Sequence, residues 1–112
     1  MVVARGGPRD GEVWLVQLDP TVGGEIQKTR PALVISPDEM NEHLRTVIVA
    51  PLTSGSHPAG FRVPVEFQRK KGLILLDQIR TLDRARFIKR MGALKPETRI
   101  QTLKTLQAMF AP

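Results

Sequence analysis

Eight side chains that could bind an anion or move a proton fall in loops or at strand ends: Glu25, Lys28, Arg30, Thr53, Ser54, His57, Asp77 and Arg80. Arg30 is the most informative of them. It closes a charged stretch containing Gly23 and Gly24, and Pro31 follows it, ahead of the apolar run Ala32 to Ile35. Glycine allows close backbone approach, and a proline at the start of a strand removes a donor the ladder can spare. Arg30 is thus expected where a loop meets a buried strand, which suits a guanidinium held still against an anion. Each residue also has an ordinary reading. Arg30 fits a surface ion pair, Thr53 a turn, and Asp77 a carboxylate holding a loop through backbone amides. His57, among Ser, Gly and Pro, reads as a solvated loop residue.

Cleavage of RNA is one chemistry that needs only such groups. The 2′-hydroxyl attacks the neighbouring phosphorus, and the protein stabilises a crowded anionic transition state while two protons move. The planar fork of an arginine matches phosphate oxygens and stays charged. Hydroxyls and carboxylates nearby can help with the protons. The sequence contains no Gly-rich phosphate motif and no zinc-ligand spacing.

Composition narrows the classes further. The 112 residues suffice for one domain with a modest core. Cysteine is absent, so disulfides and thiolate metal sites are excluded, and the two histidines, His43 and His57, make a histidine-built metal site an unpromising reading. No cofactor is expected. No apolar run approaches the ~20 residues of a membrane span, and no signal-peptide layout opens the chain. A cytoplasmic protein without a membrane partner is expected. The net charge of +6 is uneven: residues 1–61 carry 5 Lys+Arg against 7 Asp+Glu, residues 62–112 carry 12 against 4. The basic second half suits a polyanion, nucleic acid ahead of membrane, or else is simply a solvated surface.

The elements that must position these residues follow from pattern. Residues 1–9 read as a flexible tail and 10–112 as a single domain. Strands are expected at Val13–Leu18, at the apolar run after Pro31, at Thr46–Leu52, at Phe61–Phe67, at Leu73–Ile79 and around Arg86–Met91. Phe61, Val63, Val65 and Phe67 should face inward, with Pro64 marking an edge strand. Gln68–Gly72 reads as a basic turn. Ser36 should cap a short helix ending near Leu44, with Pro37 at its first position and Glu39 completing a capping box. Pro96 opens the one substantial helix, Glu97 to Phe110, with Ile100, Leu103, Leu106, Met109 and Phe110 on one face. This pattern predicts a mainly β chain with flanking helices, forming a small barrel rather than a doubly wound α/β fold.

Five blocks, in order, carry a resemblance: Gly11-Glu12-Val13-Trp14-Leu15-Val16, Asp19-Pro20-Thr21, Lys28-Thr29-Arg30-Pro31-Ala32-Leu33-Val34, Val49-Ala50-Pro51-Leu52-Thr53-Ser54 and Leu76-Asp77-Gln78-Ile79-Arg80-Thr81. Over about Asp10 to Phe110 the chain resembles the MazF/PemK family of toxin endoribonucleases, the mRNA interferases of toxin–antitoxin systems. The resemblance implies an SH3-like barrel of the CcdB/MazF/PemK type with a C-terminal helix, working as a homodimer. It implies metal-independent, sequence-selective cleavage of single-stranded mRNA to a 2′,3′-cyclic phosphate and a 5′-hydroxyl. The partner it implies is a cognate antitoxin, for which an acidic tail is expected. The family's catalytic arginine and threonine fall on Arg30 and Thr53. Glu25, Asp77 and Gln78 match positions bordering the RNA groove, and Lys28, Ser54 and Arg80 join them as RNA-binding or accessory residues. In the PemK/Kid branch catalysis is assigned to a histidine, an arginine and an aspartate; those positions here read Gly24, Leu75 and Asp77. The general base therefore stays open between Glu25, Asp77 and solvent, since an arginine with a pKa above ~12 is a poor base. The rival reading is a non-enzymatic CcdB-like toxin that binds and poisons a protein such as gyrase.

Overall fold

Strand Thr46–Thr53 is the hub of the molecule, because it pairs with three others along its length. In the computed structural model, which describes residues 7–26, 28–55 and 57–112, the strands are β1 (Glu12–Gln17), β2 (Thr29–Val34), β3 (Thr46–Thr53), β4 (Arg62–Phe67), β5 (Lys70–Leu75), β6 (Arg80–Asp83) and β7 (Phe87–Ala93). Helix α1 (Asp38–His43) joins β2 to β3, and α2 (Pro96–Met109) ends the chain. All strand pairs are antiparallel, in the order β4-β5-β3-β2-β1-β7, with β6 also on β3. The start of β3 pairs with β6, its middle with β2, and its end (Leu52, Thr53) with β5. The handover from β6 to β5, along the edge of β3 opposite β2, bends the sheet into a half-barrel. Six of the expected tail residues 1–9, as well as Gln27 and Ser56, lie outside the described residues.

Alternation along β2 and β3 divides the core in two. Leu33, Ala50 and Leu52 join Val13, Val63, Val65, Ile74 and Leu76 in one cluster, against which Leu106 and Met109 of α2 pack. Ala32, Val34, Val47 and Val49 join Val16, Leu18 and Leu82 in the other. Trp14 and Phe87 border the second cluster with their rings edge to face, centroids 5.8 Å apart. Burying these side chains contributes roughly 1.5–3 kcal/mol for each Val, Leu or Ile.

Several expectations need correction. The apolar run from Leu73 does not continue as a strand to Ile79. The strand β5 ends at Leu75, a 3-10 turn occupies Leu76–Gln78, and the chain resumes as β6. An uninterrupted apolar run has no period that would reveal such a break. The basic turn is shorter than Gln68–Gly72. Only Gln68 and Arg69 turn, with φ of 51° and 65°, as a two-residue hairpin of the twist-matched kind requires. Phe61 lies outside β4 and is 48% exposed. Pro64 does sit on an edge strand.

Ser36 is not a cap. Pro37 holds the N-cap position, and the Ser36 hydroxyl donates to Asn41 Oδ1 at 2.6 Å while accepting from the Ile48 N–H at 3.1 Å. Both side chains are buried, so this pair ties α1 to β3 rather than starting the helix. On α2, Ile100 and Phe110 are exposed whereas Thr102 is buried. Thr102 can turn inward because its hydroxyl donates to the Thr98 carbonyl, at 2.8 Å. Among the described residues, no helix is long and apolar enough to cross a membrane.

Candidate active site

The ladder between β2 and β3 runs Val34–Val49, Leu33–Ala50, Ala32–Pro51. Continued two residues further, the same register sets Arg30 opposite Thr53. The β2–β3 ladder ends at Ala32–Pro51, while the other edge of β3 goes on pairing with β5 through Leu52–Ile74 and Thr53–Leu73. The parting strands leave a groove of about 210 Å³ whose walls include Arg30, Pro31, Thr53, Ser54, Lys70 and Lys71. Phe67 and Met91 line it as well. Among the described lining residues, three are cations and none is a carboxylate. The Thr53 hydroxyl oxygen accepts from the Gly55 N–H at 3.3 Å, which leaves its own proton for a ligand oxygen. Such a groove suits an anion flanked by a donor hydroxyl.

The structure divides the nine residues that the sequence singles out. Arg30, Thr53 and Ser54 share the first groove. Glu25, Asp77, Gln78 and Arg80 line a second hollow, also about 210 Å³, reached from Pro51, two residues before Thr53. In that second group three side chains secure the fold. Gln78 Oε1 accepts from the Ile26 N–H at 2.9 Å, and Arg80 donates to the Leu18 carbonyl at 3.2 Å. Asp77 is gripped by Arg62 through two parallel hydrogen bonds and an ion pair. The hydrogen bond from Arg62 holds the Asp77 carboxyl below its ordinary pKa, against a smaller opposing push from burial. Glu25 accepts from the Val22 N–H at 2.6 Å, closing its own loop. Lys28 lines neither hollow; its backbone has φ 69° and its N–H donates to Asp19 Oδ1 at 3.0 Å. His57 is exposed and also lines neither.

Lys70 and Lys71, with Gln68 and Gly72 beside them in the groove wall, were not singled out. The cluster Gln68-Arg69-Lys70-Lys71 was visible as basic, but its role depends on β5 crossing the end of β3, which no local pattern reports. A larger hollow of about 490 Å³ between Phe61 and α2 contains none of these residues. Among the described residues, no group of three His, Asp or Glu side chains could hold a metal ion.

Fold and groove together define a small basic half-barrel protein with a cationic cleft where β2 and β3 part. Residues 9–110 match the PemK-like, MazF-like toxin family of type II toxin–antitoxin systems, and the chain belongs to that family. It is 45% identical over 94 residues to the endoribonuclease PemK of Escherichia coli, covering 79% of this chain and 70% of PemK. It is 37% identical over 99 residues to the endoribonuclease MazF of Staphylococcus epidermidis, covering 83% and 82%. The crystal structure of Deinococcus radiodurans MazF superposes with a TM-score of 0.83 at 25% identity, covering 95% of this chain and 98% of that one. A mycobacterial endoribonuclease solved in complex with its cognate antitoxin shares the fold, with a TM-score of 0.79 at 22% identity over 95% and 98%.

Proposed function

We propose that this protein is the toxin of a type II toxin–antitoxin system and acts as a metal-independent endoribonuclease on single-stranded mRNA. One observation carries the reading: in a chain 45% identical to the endoribonuclease PemK, Arg30 and Thr53 line a single groove that holds three cations. The 2′-oxygen forms the new bond to phosphorus and loses its proton, while the bond to the 5′-oxygen breaks and that oxygen gains a proton. The products are a 2′,3′-cyclic phosphate and a 5′-hydroxyl. Arg30 neutralises the charge that grows on the phosphoryl oxygens, in a fixed geometry that needs no reorganisation. Thr53 orients the same phosphate through its O–H. Of the three bases left open by the sequence, solvent is favoured. The hydrogen bond from Arg62 makes the Asp77 carboxylate a weaker base, and both Asp77 and Glu25 line the other hollow.

The toxin works as a homodimer in the cytoplasm, restrained by an antitoxin whose acidic tail competes for the basic groove. The mycobacterial relative solved with its cognate antitoxin supports that partner. The family match and the two endoribonuclease relatives favour this reading over a CcdB-like poison of a protein target. Incubation of the purified protein with a long single-stranded RNA in EDTA tests it. Discrete fragments ending in 2′,3′-cyclic phosphate are expected; intact RNA would overturn the reading.

A further inference from the structure

Gly72 stands in the wall of the Arg30–Thr53 groove, paired with Val65 across β4 and β5. A Cβ at this position would lie 2.5 Å from the Thr53 carbonyl oxygen, 3.2 Å from its carbon and 3.6 Å from the Ser54 Cα. All three are backbone atoms, so no rotamer change relieves the contact. Gly72 is not among the glycines with positive φ, which are Gly11, Gly23 and Gly92. Its dihedrals therefore tolerate an ordinary residue. What excludes a side chain is the closeness of β5 to the end of β3.

The surroundings decide which partner would yield. Ile74 and Leu52, the pair next to Thr53–Leu73, are both buried in the core. Thr53 is the last residue of β3, and Ser54 and Gly55 beyond it are exposed. A side chain on residue 72 would thus displace Thr53 rather than the core. We propose that Gly72 is a positioning residue for the cleavage reaction: its lack of a side chain lets β5 close on Thr53 and sets the Thr53 hydroxyl beside Arg30. This rests on the nuclease reading above.

The test is a double-mutant cycle in single-turnover RNA cleavage, with folding followed by circular dichroism. Gly72→Ala should fold, lose about 10- to 100-fold in kcat and keep KM within about twofold, since misplacing a reacting group by about 1 Å can cost that much. Added to Thr53→Val, which lacks the hydroxyl to be placed, the same change should cost no more than about twofold. Gly60→Ala, at a glycine with nothing within 4 Å of an added Cβ, should cleave like the wild type. Wild-type kcat in Gly72→Ala would overturn the proposal, as would an equal loss in the Thr53→Val background. A Gly72→Ala protein that does not fold would assign the glycine to the fold and overturn it too. Should the wild type leave RNA intact, the nuclease reading falls and this inference with it; should the wild type cut and Gly72→Ala match it, only this inference falls.

Discussion

Arg62 on β4 holds Asp77 through Nε to Oδ1 at 3.1 Å and Nη2 to Oδ2 at 2.9 Å, a bidentate pair that locks the turn after β5 to the edge strand. The same guanidinium donates to the His57 carbonyl at 3.2 Å, so it also anchors the loop that follows β3. Asp77→Asn should therefore act on stability and not on the chemistry. The folded-state pKa of Asp77 is lowered, so its stabilisation is complete above the unfolded value and disappears as pH falls through the folded one. The variant should melt a few degrees lower at pH 7, the scale of a partly exposed pair, and the gap should narrow on acidification towards pH 3. Its pH–rate profile for RNA cleavage should match the wild type. A profile that loses its basic-group limb would make Asp77 the general base.

Arg30→Ala should lower kcat by about 10²–10³-fold, the cost of removing one preformed stabiliser of transition-state charge. Arg30→Lys should fall in between, because an ammonium keeps the charge and loses the planar fork. Arg30 is exposed at the mouth of β2, so neither change should alter the melting temperature by more than a few degrees. Single-turnover cleavage with melting curves on the same samples checks this. Cleavage by Arg30→Ala at the wild-type rate would remove Arg30 from the site.

How much of this was legible beforehand varied with the kind of signal. Pro31 and the apolar residues after it located β2, and the β-branched run from Thr46 located β3. But β2 begins earlier, at Thr29, and β3 runs on to Thr53, so Arg30 and Thr53 are strand residues and not loop ends. The approach of β5 to Thr53 could not be read from local pattern, because it depends on β5 giving way to β6 along one edge of β3. The turn leading into β5 was expected, but its two-residue length was hidden, because Gln68 and Arg69 both adopt positive φ without being Gly or Asn. The division of the accessory residues between two hollows was hidden for a related reason. A sequence offers Asp77, Gln78 and Arg80 as site residues, and the partners Arg62, Ile26 and Leu18 show that they also tie loops to strands.

Glu12 offers a second, independent acid-sensitive tie. It accepts from Trp14 Nε1 at 3.0 Å and from the Arg9 N–H at 2.9 Å, and it pairs with Arg90 across β1 and β7. Burial pushes its pKa up, and the hydrogen bonds from Trp14, Arg90 and Arg9 together outweigh that and leave it lowered. Its stabilisation is thus present above the unfolded pKa and lost as pH falls through the folded one. Glu12→Gln should cost about 1 kcal/mol at pH 7, with the difference from wild type shrinking as pH approaches 3. Urea unfolding followed through Trp14, the one tryptophan of the chain, measures both. A constant difference across that range would show that the carboxylate's charge is immaterial.

Lys70 and Lys71 should report the path of the RNA backbone. They line the same groove as Arg30, with no carboxylate among its described lining residues, so a phosphate next to the scissile one would meet them without repulsion. Each cation that neutralises a phosphate on a single strand contributes about 0.7 to the slope of log affinity against log salt. Lys70→Gln and Lys71→Gln should each flatten the salt dependence of KM by up to about that amount, while kcat at saturating RNA stays unchanged because neither acts on the transition state alone. Lys104→Gln, in the hollow beside α2, should leave the slope as it is. Slopes for the Lys70 and Lys71 variants equal to the wild type would mean that the RNA leaves the groove on the Arg30 side without crossing the hairpin.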